Sequence, residues 1–206
     1  MPARIDVEAL KRAIAALAPA MEDAASELNA ADGKLGDGDL GVTMQRGMRL
    51  VSETVDTLPE DLGRALMSCA QAFTKSSGSS YGTLLATGLM AMAKVLKGRD
   101  TAEGGEISGL VAAARDAMAA RGKSETGAKT VLDSLEAISD ATAGLDEAGE
   151  IAAAAMQASA RALDAFRDQP ARIGRARIFA ERSVGLDDPG MLAMDRIVRA
   201  LADAAR

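Results

Sequence analysis

Between Leu28 and Met48 the chain reads LNAADGKLGDGDLGVTMQRGM, which sets three carboxylates, Asp32, Asp37 and Asp39, among Gly33, Gly36, Gly38 and Gly41. Glycine lets the backbone take positive φ and fold tightly, so carboxylates spaced five and two residues apart can converge on one point. Hard oxygen donors gathered in this way suit magnesium, which keeps several waters and completes its shell with substrate phosphates. An apolar-periodic run begins directly afterwards, so a helix N-terminus, attractive to anions, stands behind the carboxylates. The chemistry implied is the holding of a metal–phosphate complex. The plain alternative is that aspartate and glycine only mark a turn, and an isolated DGD does not separate the two.

What is missing narrows the chemistry further. Histidine is absent from all 206 residues, which excludes Ser-His-Asp and Cys-His catalysis, histidine metal sites and phosphohistidine chemistry within this chain. Cys69 is the only cysteine; it cannot form an intrachain disulfide, and its place in an apolar helical row marks a small core residue. A net charge of −6 with acidic and basic residues interspersed supplies no basic stripe, so nucleic acid is not an expected partner. No apolar segment approaches the roughly 20 residues that span a bilayer. The start, MPARIDVEALKR, has no signal-peptide apolar region. No membrane partner and a cytoplasmic location are therefore expected.

Two local matches mislead. Gly78-Ser79-Ser80-Tyr81-Gly82 fits G-x-S-x-G with Ser80 as nucleophile, but that elbow needs a strand before it and a histidine base. A Ser/Gly-rich helix N-terminus that offers N–H groups and hydroxyls to an anion fits better. Gly122-Lys123-Ser124 resembles the end of a P-loop, yet the position of its first glycine is Ala117 and the preceding segment reads as helix.

The elements that must position these loops follow from composition and period. Aromatics make up 2% of the chain and Trp is absent, so the core must be Ala, Leu, Met, Ile and Val on closely packed helices. Helical rows run through Leu10, Ile14, Leu17, Met21 and Leu28, with Pro19 predicting a kink or a second helix. Thr43 to Leu58 reads as the next helix, then Leu62, Leu66, Cys69 and Phe73. Later rows carry Leu85 to Leu96, Ile107 to Met118, Val131 to Ile138, Ile151 to Leu163, and Met194 to Leu201. The stretch from Arg172 to Gly190 reads as irregular, and no alternating strand with a hairpin signal is found. About eight helices give an all-α, single-domain bundle over residues 1–206, with sequence neighbours antiparallel. The loops at 32–39, 76–80, 122–127 and 188–190 can then meet at one end.

Taken in order, LNAADGKLGDGDLGVTM, SSGSSYGT, RGKSETGAKTVLD and GRARIFAERSVGLDDPG resemble the L subunit of dihydroxyacetone kinase, its nucleotide-binding domain, over nearly the whole chain. The resemblance implies a barrel of eight antiparallel amphipathic helices holding ADP or ATP and two magnesium ions at one end. It implies Asp32, Asp37 and Asp39 as magnesium ligands and catalytic residues. Leu40, Gly41, Val42 and Thr43 would contact the nucleotide phosphates, with Ser77 and Gly78 adding a second phosphate contact. Gly122 and Val131 would lie along the nucleotide, Arg175 would pair with it as a further catalytic residue, and Asp188, Pro189 and Gly190 would close over its base side.

The implied activity is that of the phosphoryl-donor subunit of a ketose kinase, with the ketose held by a separate K subunit. In phosphotransferase-linked systems an M subunit rephosphorylates the bound ADP; a homodimer is left open. Departures from the family pattern are Leu40 and Leu186 where histidine is common, Ala128 where aspartate is common, and Thr74-Lys75 in place of Gly-Gly. These leave the carboxylates untouched. The rival reading is a non-catalytic helical interaction or regulatory module of the same fold.

Overall fold

The computed structural model describes residues 2–75 and 79–205, without the side chains of Arg175, Ala176 and Phe179. Among the described residues the apolar rows become eight α-helices. They are α1 (Val7–Leu35), α2 (Leu40–Ser52), α3 (Leu62–Thr74), α4 (Ser80–Val95), α5 (Ile107–Gly122), α6 (Val131–Thr142), α7 (Ala148–Arg167) and α8 (Pro189–Ala204). Each helix packs on the next and α8 returns to α1, so the bundle closes into a ring. Most connections are short, which makes neighbours antiparallel, and the longer segment between α7 and α8 keeps the alternation. The α1–α2, α3–α4, α5–α6 and α7–α8 connections consequently gather at one end.

The interior is filled as the composition demands. Met21, Leu28, Met44 and Met191 surround Phe73, all with at most 1% exposure, and the unbranched methionines fill the gaps that scarce aromatics leave. Close helix approach is built in at Gly41, where a Cβ would fall 1.9 Å from the Ala25 carbonyl oxygen of α1. Cys69 is buried in this core, and burial pushes its thiol up to about 11, which suppresses the thiolate a nucleophile requires.

Three local expectations are corrected. Pro19 neither ends nor splits α1, which runs unbroken for 29 residues. Pro19 and Ala15, whose carbonyl loses its partner, are both exposed, so water can satisfy that oxygen. The second helix occupies Leu40–Ser52 rather than Thr43 to Leu58, and a 3-10 turn, Val55–Thr57, follows it. There Ser52 Oγ donates to the Met48 carbonyl at 2.9 Å and Thr54 Oγ1 to that of Val51 at 2.7 Å, competing for helix acceptors. The irregular stretch before α8 contains a 3-10 helix, Arg175–Ser183. At the opposite end from the gathered loops, β1 (Arg4–Ile5) pairs antiparallel with β2 (Ala102–Glu103); two residues are too few to leave an alternating pattern.

Candidate functional site

Asp32 lies in the last turn of α1 rather than in a loop, because the helix continues through Gly33 to Leu35, which is buried. Asp37 and Asp39 stand on the four-residue turn that leads into α2. Oxygen atoms of the three carboxylates lie within 4.8 Å of one another. Gly38, at φ +75°, takes the left-handed conformation that brings Asp37 and Asp39 round together. Gly36 faces Asp32 so closely that a Cβ would stand 2.5 Å from Oδ1. The Gly36 amide donates to the Asp32 carbonyl at 2.6 Å and the Asp39 amide to Asp32 Oδ2 at 3.0 Å, so the helical carboxylate also folds the turn.

Asp39 occupies the N-cap position of α2 without its side chain capping the helix. Asn29 does so from a distance: its Oδ1 accepts the amides of Gly41 at 2.8 Å and Val42 at 3.2 Å. Capping normally comes from the residue next to the helix, so nothing in the sequence around Asn29 announces this role.

Beside the trio opens a cleft of about 570 Å³, lined by residues from all four gathered connections. Asp32, Asp37, Asp39 and Leu40 form one wall; Ser79, Ser80 and Tyr81 begin α4 along another. Met118 and Gly122 end α5, Thr130 and Val131 begin α6, and Ile173, Gly174, Asp188, Pro189 and Gly190 complete the rim. Of the sequence candidates, Gly41, Val42 and Thr43 lie outside this lining: Gly41 presses on α1, and Thr43 is 5% exposed. Ser77 and Gly78 lie outside the described residues, as does the Arg175 side chain. Sequence reasoning missed Tyr81, Leu84, Met118, Thr130 and Ile173 as lining residues. Tyr81, Leu84 and Met118 have the apolar spacing of core residues, and only ring closure turns one end of each row toward a cavity, whereas Thr130 is a helix cap and Ile173 lies in the stretch between α7 and α8, where no period marks it.

The polar groups of the rim are fixed by local structure. Thr130 caps α6 in a capping box with Asp133, whose Oδ2 accepts the Thr130 amide at 2.7 Å while Oδ1 accepts that of Gly127. Asp188 caps α8 by accepting the Met191 amide at 2.8 Å. Burial is the main force on Asp188, pushing its carboxyl up to about 6, and the Met191 and Gly190 amides, then Lys129, partly offset it. Tyr81 donates its hydroxyl to the Gly190 carbonyl at 3.2 Å, and burial, with the neighbouring Asp188, pushes its phenol above the usual range.

The donor set fits a hard divalent cation: all three side chains are carboxylates, converge, and open onto a cleft large enough for a ligand that would share the ion. Among the described residues no helix is long and apolar enough to cross a membrane.

Residues 34–203 match the DAK2 domain family. The L-erythrulose 1-kinase of Mycolicibacterium smegmatis is 30% identical over 186 residues, covering 88% of this chain and 33% of that protein. The chain thus spans about a third of that kinase. The ADP-binding subunit DhaL of the PTS-dependent dihydroxyacetone kinase of Lactococcus lactis is 31% identical over 172 residues, 79% of this chain and 79% of that one. The crystal structure of the C. freundii dihydroxyacetone kinase in complex with AMP-PNP and Mg2+ superposes with a TM-score of 0.73 at 21% identity. That match covers 98% of this chain and 34% of that one. The chain belongs to the DAK2 domain family and is of the DhaL type.

Proposed function

We propose that this chain is the ADP/ATP- and magnesium-binding subunit of a kinase for dihydroxyacetone or a related short ketose, donating the phosphoryl group to a ketose held by a separate K subunit. The observation that carries the reading is the convergence of Asp32, Asp37 and Asp39 within 4.8 Å at the mouth of a cleft of about 570 Å³. Family membership supports it, and so does the AMP-PNP and Mg2+ complex of the structural neighbour.

In phosphoryl transfer the protein supplies mainly position and charge stabilisation. Asp32, Asp37 and Asp39 would hold two magnesium ions, and Gly36 and Gly38 keep their carboxylates convergent. Magnesium, when bound, neutralises charge along the phosphate chain. The N-terminus of α2 opens on the same mouth, so its dipole favours the negative tail. With the Gly41 and Val42 amides given to Asn29, that helix end contributes its field rather than those two N–H groups. Leu84, Met118, Val131 and Ile173 offer apolar walls to a flat base and keep water from it. Arg175 is assigned, with Ser77 and Gly78, to the phosphates on the strength of the family resemblance. The family resemblance assigns the ketose to a histidine of a separate K subunit, in keeping with the absence of histidine from this chain, and makes a phosphotransferase M subunit the candidate for rephosphorylating bound ADP.

Calorimetric titration with ADP tests this reading. Wild-type protein should bind ADP with magnesium and lose it on chelation, whereas Asp37→Asn should lose magnesium-dependent binding while its helical circular dichroism persists. Unchanged ADP affinity in Asp37→Asn would contradict the assignment.

A further inference from the structure

Lys129 is 1% exposed, and its ammonium meets no carboxylate at hydrogen-bond distance among the described residues. Instead Nζ donates to three backbone carbonyls, those of Arg167 at 2.9 Å, Gln169 at 2.8 Å and Ser183 at 2.7 Å. An ammonium has three donors and no acceptor, so the set is complete. Arg167 and Gln169 sit where α7 ends, where carbonyls lack intrahelical partners and the helix dipole is negative. Ser183 ends the 3-10 helix. One side chain thereby grips both ends of the segment that leaves α7 and returns toward α8.

The surroundings reinforce the grip. Lys129 itself takes φ +62°, a left-handed conformation that strains a non-glycine residue and persists only where its surroundings over-determine it. The Arg172 amide donates to the Ala128 carbonyl at 3.1 Å, and the Ala171 amide to Ser183 Oγ at 2.8 Å. The Gly185 amide closes back on the Arg167 carbonyl at 2.9 Å. The held segment supplies Ile173, Gly174 and Asp188 to the cleft, while Thr130 and Val131, next in sequence to Lys129, supply the facing start of α6.

We propose that Lys129 is a positioning residue for the nucleotide: by tying both ends of segment 168–188 to the α5–α6 turn, it sets the spacing of the two cleft walls that flank the nucleoside. This rests on the nucleotide reading of the cleft. The carboxylate trio stands on a different connection, so metal affinity is set independently. Removing the ammonium takes the one donor from the Gln169 carbonyl and one of two donors from the carbonyls of Arg167 and Ser183, which keep the amides of Gly185 and Leu186. Water reaches them most readily when the segment lifts off the end of α7, so the local response is an opened cleft wall rather than global unfolding.

The test uses the full chain as Lys129→Met and Lys129→Arg. Lys129→Met should weaken magnesium-dependent ADP binding at least tenfold and speed amide exchange at Ala171, Arg172 and Gly185 at least tenfold. Affinity for Mn2+ alone, read by electron paramagnetic resonance, should stay within twofold. Lys129→Arg keeps the charge but spreads its donors in a planar fork that cannot reach three carbonyls around one point; it should bind ADP as weakly as Lys129→Met. Restored binding in Lys129→Arg would mark a role for charge alone and overturn the proposal. ADP affinity within twofold of wild type in Lys129→Met would overturn it, and so would parallel loss of Mn2+ and ADP, the mark of a general structural role. Should Lys129→Met not fold, Lys129→Gln, which retains two amide donors, carries the same three measurements. Wild-type protein that binds no ADP would instead refute the nucleotide reading.

Discussion

Asn29→Ala isolates the part of the site that lies farthest from its own motif. Asn29 Oδ1 is the acceptor for two α2 amides, Gly41 at 2.8 Å and Val42 at 3.2 Å. Loss of a capping side chain costs about 0.5–2 kcal/mol, and a buried donor left unpaired costs about 1–3 kcal/mol. These figures count the same amides, which are only partly buried, so we take about 2 kcal/mol in total. In a domain of this size that lowers Tm by about 4–8 °C. The first turn of α2 then frays, and with it the placement of Asp39 relative to Asp32. Magnesium-dependent ADP affinity should fall about tenfold, the equivalent of about 1.4 kcal/mol. Asn29→Asp keeps an acceptor oxygen in place and should recover most of the stability. Thermal denaturation and ADP calorimetry on the two variants are the assays. An Asn29→Ala protein with unaltered Tm and ADP affinity would refute the long-range cap.

Two glycine substitutions separate the site from the scaffold. Gly36→Ala puts a methyl 2.5 Å from Asp32 Oδ1, so the carboxylate must turn away; magnesium-dependent ADP binding should drop at least tenfold with Tm nearly unchanged. In Gly41→Ala the methyl falls 1.9 Å from the Ala25 carbonyl oxygen, where only separation of α1 and α2 gives relief, and urea denaturation should show a loss of about 3 kcal/mol or more. The pH dependence of stability checks Asp188, whose carboxyl is raised to about 6 by burial. A raised carboxyl pKa means that the native state binds the proton more tightly, so the stability it contributes is full below about 4 and is lost as pH rises through about 6. Asp188→Asn keeps a cap for the Met191 amide without the desolvated charge. It should match wild type near pH 4 and exceed it at pH 8 by about 1–2 kcal/mol, a figure discounted for partial exposure.

Helix periodicity was legible because Ala, Leu and Met rows such as Leu62, Leu66, Cys69 and Phe73 have one face to bury, and the structure buries it. The carboxylate trio was legible because its residues are close in sequence and punctuated by glycine. Asp32 was misplaced into the loop because Gly33 suggested an end to α1; burial of Leu35 two residues later carries the helix on. The second helix offered at Pro19 does not form, since a proline on the solvent face leaves its orphan carbonyl to water. Asn29 and Lys129 could not be read at all. Their partners lie 12 to 54 residues away, and a pairing of that range exists only once the ring has closed. The lining role of Tyr81 and Met118 was hidden for the same reason, because a core row and a cleft row share one period.

Anomalous diffraction from crystals grown with ADP and Mn2+ in place of magnesium probes the three carboxylates directly. Manganese density held jointly by Asp32, Asp37 and Asp39, with the diphosphate of ADP completing the shell inside the cleft, is the expected result. Crystals in which ADP binds elsewhere, or in which the three side chains carry no ion between them, would contradict the metal–phosphate site on which the proposed function depends.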